Sequence, residues 1–352
     1  MTTTAHSVVG DVRSAVDALL EDFLTHQEQR AATPQVSLFI EWLRGCLAGG
    51  KRLRPALCYS GWRAAGGTGA PADVIHLAAS LELFHAFALV HDDVMDDSDT
   101  RRGRQTLHRQ IATRYPTHPA SEQFGRHTAI LLGDLILGWS YELVHGAELD
   151  PARASRVWLL LNAMRTETLS GQYLDLLSTG VLDDDMEGAL TVATYKTAKY
   201  TVERPLQLGS ILAGAGQEML DTWTAYGIPV GEAFQLRDDL LGVFADPADT
   251  GKSAIDDLRD GKHTVLLALA WKRADADQRS RLRALIGNPD LDETHAAEIR
   301  HIFTVTGSRA TVEEMIVHRY NAALAALQAA QLPAEDDAVL RELATRATQR
   351  GH

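Results

Sequence analysis

Cysteine is nearly missing: Cys46 and Cys58 are the only two in 352 residues. A disulfide-built secreted scaffold is therefore excluded, and free thiols in a reducing cytoplasm are expected. No Cys or His set stands at zinc spacing, and the 14 histidines are mostly dispersed. Long apolar runs are also lacking. Ala129 to Leu132 and Leu135 to Trp139 are separated by Gly133 and Asp134, so no membrane span is expected. The N-terminus lacks the basic region and continuous apolar stretch of a secretion signal. Positive charge is in deficit, with 34 Lys and Arg against 47 Asp and Glu and a formal charge of −13. Nucleic acid and anionic membranes would be repelled, although phosphates remain possible ligands if cations intervene. No Ser/Gly/Pro linker, low-complexity block or fixed-period repeat divides the chain, so residues 1–352 read as a single domain.

What is present is helical periodicity. Val12, Val16, Leu19, Leu20 and Phe23 recur at spacings of three and four, one apolar stripe per turn. The same texture predicts long helices near 72–97, 120–147, 151–178, 187–215 and 217–244, with shorter ones at both ends and no convincing strand. Gly66-Gly67-Thr68-Gly69 with Pro71, and Pro116 to Pro119, punctuate them. The polar stretch from Asp246 to Lys262 is long enough to be a functional loop.

Charge then appears in odd places. His91-Asp92-Asp93-Val94-Met95-Asp96-Asp97 follows the apolar run Leu81 to Val90 without a break. On a helix, Asp92 and Asp96 lie one turn apart with Asp93 beside them, and such carboxylates repel unless cations bridge them. Mg²⁺ is the natural candidate, a hard octahedral ion that takes one or two carboxylates with phosphate oxygens and water. A solvated helix end is the plainer explanation for this cluster taken alone. A second cluster weighs against it: Phe234-Gln235-Leu236-Arg237-Asp238-Asp239-Leu240-Leu241 embeds another acidic pair in another apolar helix. Gln172 and Asp175 among leucines, and Lys196 and Thr197, add polar groups that would be costly if buried unpaired. Lys51, Arg54, Arg101, Arg102, Lys252 and Lys262 suit diphosphate oxygens, Arg through a bidentate fork and Lys as a mobile point charge. Gly251-Lys252-Ser253 resembles the end of a P-loop, but the upstream glycine position is Asp246 and no parallel-sheet pattern surrounds it.

Gly50-Lys51-Arg52-Leu53-Arg54-Pro55, Asp92-Asp93-x-x-Asp96 with Arg101-Arg102-Gly103, and Phe234-Gln235-x-x-Asp238-Asp239 stand in an order and spacing that resemble the trans-isoprenyl diphosphate synthases, most of all bacterial geranylgeranyl diphosphate synthases. The resemblance covers most of the chain. It implies an all-α fold: a single large antiparallel helical bundle of the isoprenoid synthase type with a central cavity. It also implies a Mg²⁺-dependent prenyltransferase that condenses allylic diphosphates (dimethylallyl, geranyl, farnesyl) with isopentenyl diphosphate, giving the C20 product. A farnesyl or longer-chain synthase and a class I terpene cyclase are the alternatives, with a non-catalytic helical subunit further off.

By the same resemblance, Asp92, Asp96 and Asp238 ligate Mg²⁺, three ions per site, with Mn²⁺ as a substitute. Asp93, Asp239, Gln172 and Asp175 support them. Arg101, Lys196 and Lys252 bind the allylic diphosphate, and Lys51, Arg54, His85 and Arg102 the isopentenyl diphosphate, with Lys262 also among the substrate-binding residues. The Lys196 carbonyl, Thr197 and Gln235 would face the allylic cation, Phe87 would form the floor that limits product length, and the chain would act as a homodimer. At Gly242 the sequence departs from the family, many of whose members carry a third aspartate there. Asp246 one turn on is a partial substitute or a loop cap, and Asp256 and Asp257 both stand where the family has another acidic residue.

Overall fold

The computed structural model describes residues 3–31, 33–68, 72–101, 103–245 and 255–348, with side chains from residue 10 onward. Arg102, Lys252 and Asp246 lie outside the described residues. The elements in chain order are α1 (Thr3–Gln29), α2 (Pro34–Leu47), α3 (Leu53–Ala64), α4 (Ala72–Met95), β1 (Thr100–Arg101), β2 (Arg104–Gln105), α5 (Leu107–Arg114), α6 (Ser121–His145) and α7 (Pro151–Ser178). After α8 (Met186–Val192) comes a π-helix (Ala193–Glu203), then α9 (Arg204–Leu212), α10 (Gln217–Phe244), α11 (Asp256–Arg259), α12 (Val265–Arg273), α13 (Ala276–Leu285), α14 (Glu293–Val305), α15 (Ser308–Ala330) and α16 (Ala334–Thr348). The all-α expectation holds, and four of the five long helices fall where periodicity put them.

Helix starts follow from local chemistry. Pro34 opens α2 after an extended Thr33, and the Thr264 hydroxyl accepts the Leu267 N–H at the head of α12. Asp275 with Gln278, and Asp292 with His295, form reciprocal caps on α13 and α14.

The chain divides into two compact units, each assembled from two stretches. The first comprises Met1–Leu159 with Pro205–Met219. Here α4 is buried on nearly every side and packs with α1, α3 and α6. It is long and apolar enough to cross a membrane by length and composition, but 67% of its apolar window is buried inside the protein, the mark of a core helix. The 205–219 stretch joins α3 through glycines. A Cβ on Gly209 would lie 1.8 Å from the Cys58 carbonyl oxygen, and one on Gly61 2.1 Å from that of Leu206, while Ser210 Oγ donates to the Gly61 carbonyl at 2.8 Å. Cys46 and Cys58 are both free thiols.

The second unit comprises Leu160–Arg204 with Leu220–His352. Its core gathers Leu236 and Leu240 of α10 with Leu266, Ile299, Phe303 and Ile316.

Two expectations need correction. The helix predicted over 187–215 is three segments, because residues 193–203 wind as a π-helix. The wider turn brings backbone against glycines on two sides: a Cβ on Gly171 would be 2.3 Å from Lys196 N, and one on Gly231 2.3 Å from Ala198 Cα. Apolar periodicity does not register such a change of pitch. A small hairpin also exists where no strand was predicted, with Thr100 paired to Gln105 and Arg101 to Arg104 around Gly103 at φ 73°. Strands of two residues are too short to show alternation.

Candidate active site

In the first unit, Asp92 and Asp93 occupy the last turn of α4, and Asp96 follows its end. The chain then turns through Asp97 at φ 50°, and the Ser98 N–H donates to the Asp93 carbonyl at 3.0 Å. The hairpin returns Arg101 to the acids it has just left. Its Nε donates to Asp93 Oδ1 at 2.6 Å and its Nη2 to Asp92 Oδ2 at 3.0 Å. Asp93 is buried, with a side chain 7% exposed, and Asp92 nearly so at 15%. Burial opposes the Arg101 charge, but Asp93 and Asp92 outweigh it and raise its pKa. Behind the turn, Arg109 reaches Asp99 at 2.8 Å and Asp97 at 3.1 Å, and the Thr106 hydroxyl donates to the Ser98 carbonyl at 2.7 Å. Arg109 stands outside the residues that the sequence motifs mark. Its signal was an arginine two residues into a helix that follows an acidic turn.

The basic element near residue 50 splits by role. Lys51 is exposed, and Arg54 is buried at the start of α3. Arg52 between them takes a left-handed conformation, φ 49°, and turns inward to Asp17 at 2.7 Å, Glu82 at 2.8 Å and the Leu47 carbonyl at 2.7 Å. It is a buried clamp joining α1, α4 and the end of α2. His85 lies half-buried on α4, two turns before Asp92. Phe87 is buried against Phe84 and against the His91 ring, at centroid distances of 5.5 and 4.9 Å. His91 in turn fills a slot on α6 that Gly133 leaves open.

In the second unit, the π-helix presents Lys196 and Thr197. Lys196 Nζ donates to Asp175 Oδ2 of α7 at 2.6 Å. Thr197 Oγ1 donates to Gln235 Oε1 at 2.7 Å, and Gln235 Nε2 donates to Asp239 Oδ1 at 2.8 Å, a relay onto α10. Burial pushes the Asp239 carboxyl up to about 8. The Gln235 hydrogen bond opposes this, the negative charges of Asp257 and Asp238 add to it, and Lys262 offsets part of it. Gln172 Nε2 is buried with no hydrogen-bond partner among the described residues. A buried amide donor calls for an acceptor oxygen. Lys199, beside these groups in sequence, pairs with Glu167 and Glu203 at 3.1 and 3.3 Å. Lys262 Nζ stands 3.4 Å from Asp257 Oδ1.

Of the expected site residues, the structure brings together Asp92, Asp93 and Arg101 in the first unit, and Asp175 with Lys196 and Thr197 with Gln235 and Asp239 in the second. The donors at the acidic motifs are carboxylates, the chemistry that suits Mg²⁺. Among the described residues no three such side chains close on a single ion, and Mg²⁺ does not require it, since phosphate oxygens and water complete its shell. In each unit the acidic side chains stand beside a basic group, Arg101 in the first and Lys196 in the second, a donor set of the kind that binds a diphosphate through cations.

Residues 37–304 match the polyprenyl synthetase family. A geranylfarnesyl diphosphate synthase of Aeropyrum pernix is 34% identical over 262 residues, 74% of this chain and 76% of the relative. A geranylgeranyl diphosphate synthase of Saccharolobus solfataricus is 31% identical over 257 residues, 72% and 73% of the two chains. The crystal structure of geranylgeranyl pyrophosphate synthase from Corynebacterium glutamicum, complexed with isoprenyl diphosphate and magnesium, superposes with a TM-score of 0.91 at 38% identity and covers 97% of this chain and 98% of its own. The chain belongs to the polyprenyl synthetase family and is a Mg²⁺-dependent trans-prenyl diphosphate synthase.

Proposed function

We propose that this enzyme condenses isopentenyl diphosphate with dimethylallyl, geranyl and farnesyl diphosphates to geranylgeranyl diphosphate, releasing diphosphate at each step. The observation that carries the reading is the Arg101 clasp on Asp92 and Asp93. A guanidinium stands where buried carboxylates meet, poised to share a diphosphate with the cations those carboxylates attract. Asp92, Asp96 and Asp238 are the Mg²⁺ ligands, for three ions. When bound, they supply charge stabilisation to the departing diphosphate, worth several kcal/mol in a water-poor site.

The chain's own groups do the rest. Arg101, Lys196 and Lys252 hold the allylic diphosphate, and Gln172 Nε2 gives it or its water a donor. Lys51, Arg54, His85 and Arg102 hold the isopentenyl diphosphate. Thr197 and Gln235, joined by their hydrogen bond, turn oxygen dipoles toward the allylic carbon as its bond to oxygen breaks. The isopentenyl double bond then attacks that carbon, and the released diphosphate takes the proton. No protein nucleophile is needed.

Phe87, fixed between Phe84 and His91, sets the floor, with the smaller Ala88 beside it. Phe87→Ala should lengthen the product, and an unchanged chain length would move the floor elsewhere. The enzyme works in the cytoplasm as a homodimer. In support, α6 exposes Ile130 and Leu131, and α7 exposes Leu169, Tyr173, Leu176 and Leu177.

The purified protein incubated with isopentenyl diphosphate and each allylic starter tests the reading by product length. A C20 diphosphate is expected, a C15 diphosphate would reassign the enzyme as a farnesyl synthase, and a cyclic hydrocarbon made without isopentenyl diphosphate would mark a terpene cyclase.

A further inference from the structure

The second acidic motif has a glycine where its third carboxylate would stand. Asp238 and Gly242 are one turn apart on α10, so a side chain at 242 would project along the Asp238 face. That space is filled from another element. A Cβ on Gly242 would lie 2.1 Å from Asp257 Oδ2 and 3.2 Å from its Cγ. The α11 segment therefore delivers a carboxylate into the volume that a side chain at 242 would occupy. The delivery is fixed from both ends of the residue. Lys262 Nζ stands 3.4 Å from Asp257 Oδ1, and the Lys262 N–H donates to the Asp257 carbonyl at 3.0 Å. The neighbouring acid is used differently, since Asp256 Oδ1 pairs with Arg259 at 3.2 Å on a side chain 48% exposed.

We propose that Asp257 is the third carboxylate of the second acidic motif, reaching the cation site of Asp238 from α11, and that Gly242 is the space that admits it. The proposal rests on the prenyltransferase reading and adds to it a residue and a pairing. A divalent ion held by few protein oxygens depends on the groups that orient its ligands and waters, and removing one such group typically costs about 10- to 100-fold in metal affinity. The glycine and the aspartate are then one device written in two places. Any side chain at 242 must push the Asp257 carboxylate aside, and because that carboxylate is the end of a flexible side chain, the displacement costs little stability.

The test follows the melting temperature of the full-length protein against Mg²⁺ concentration at fixed inorganic diphosphate, reading the Mg²⁺ concentration that gives half the shift. Asp257→Asn keeps the shape and one acceptor oxygen while removing the charge, and should raise that concentration about tenfold. Gly242→Ala, which leaves Asp257 chemically intact, should raise it similarly. The double variant should be no worse than either single, because both remove the same contribution. Gly242→Asp combined with Asp257→Ala should restore the wild-type value to within a few-fold. Wild-type Mg²⁺ dependence in Asp257→Asn or in Gly242→Ala overturns the proposal, as do single effects that multiply in the double variant. Absence of any Mg²⁺ and diphosphate shift in the wild type would instead overturn the prenyltransferase reading and this proposal with it.

Discussion

Lys51 and Arg52 are neighbours in sequence with opposite surroundings, and they show where residue-level reading works and where it stops. Both sit in one basic run, which stands out in the sequence because basic groups clustered ahead of an apolar helix suit diphosphate. Which of them turns inward was not legible, because it depends on the left-handed backbone at Arg52 and on Asp17 and Glu82, distant in sequence. Arg52→Met leaves Glu82 buried without its cation and should destabilise the protein by about 3–5 kcal/mol, measured by denaturant unfolding. Lys51→Met should stay within about 0.5 kcal/mol of wild type in the same experiment, as an exposed substitution does. Its effect should appear as a raised KM for isopentenyl diphosphate. The acidic pairs stand out in the sequence because Asp pairs inside apolar helices need a partner to explain them, and the structure supplies Arg101 beside Asp92 and Asp93. Arg109 does not stand out, because an arginine near an acidic turn has an equally good reading as surface charge.

Among the elements, the π-helix is the one whose geometry is set by its neighbours rather than by its own pattern. It positions Lys196 and Thr197, and it fits only because Gly171 and Gly231 allow backbone contact. Gly231→Ala would place a methyl 2.3 Å from Ala198 Cα, a backbone atom that cannot swing away. Overpacking of this kind should cost about 1–3 kcal/mol, and the displaced turn should lower turnover beyond the stability loss, seen as reduced kcat in protein that is still folded.

The same π-helix is tied down by charge. Glu167 receives Arg204 through two hydrogen bonds, at 2.6 and 2.8 Å, and Lys199 at 3.1 Å. Burial works to raise the Glu167 pKa, but Arg204 and Lys199 outweigh it and hold the carboxyl below its usual range. A depressed folded-state pKa contributes stability that is fully present above the unfolded value and is lost as pH falls through the folded one. The wild type should therefore lose stability on acidification below about pH 4.5 more steeply than Glu167→Gln. Equal slopes in melting temperature against pH would remove Glu167 from that role. Helix positions were readable in advance because amphipathic periodicity is a local property. The change of pitch at residues 193–203 and the two-residue strands that carry Arg101 were not, since both arise from contacts made after the chain folds.

At the scale of the whole molecule, a formal charge of −13 and two cysteines argue against a nucleic-acid partner and a disulfide scaffold but say nothing of assembly. The exposed leucines at 131, 169, 176 and 177 are more apolar surface than scattered single residues explain. For the proposed homodimer, Leu131→Asp should shift a sedimentation profile from dimer toward monomer, and an unaltered profile or a monomeric wild type would contradict an interface through α6.

The central claim is that the acidic motifs at 92 and 238 act on one event, the departure of the allylic diphosphate. Its most direct test is the Mg²⁺-dependent turnover of Asp92→Ala, Asp238→Ala and the double variant with an allylic starter and isopentenyl diphosphate. Each single change should lower kcat by about 10²-fold or more, roughly 3 kcal/mol of transition-state stabilisation, and the double should be far less impaired than the product of the two. Near-normal turnover in either single variant, or losses that multiply fully in the double, would contradict it.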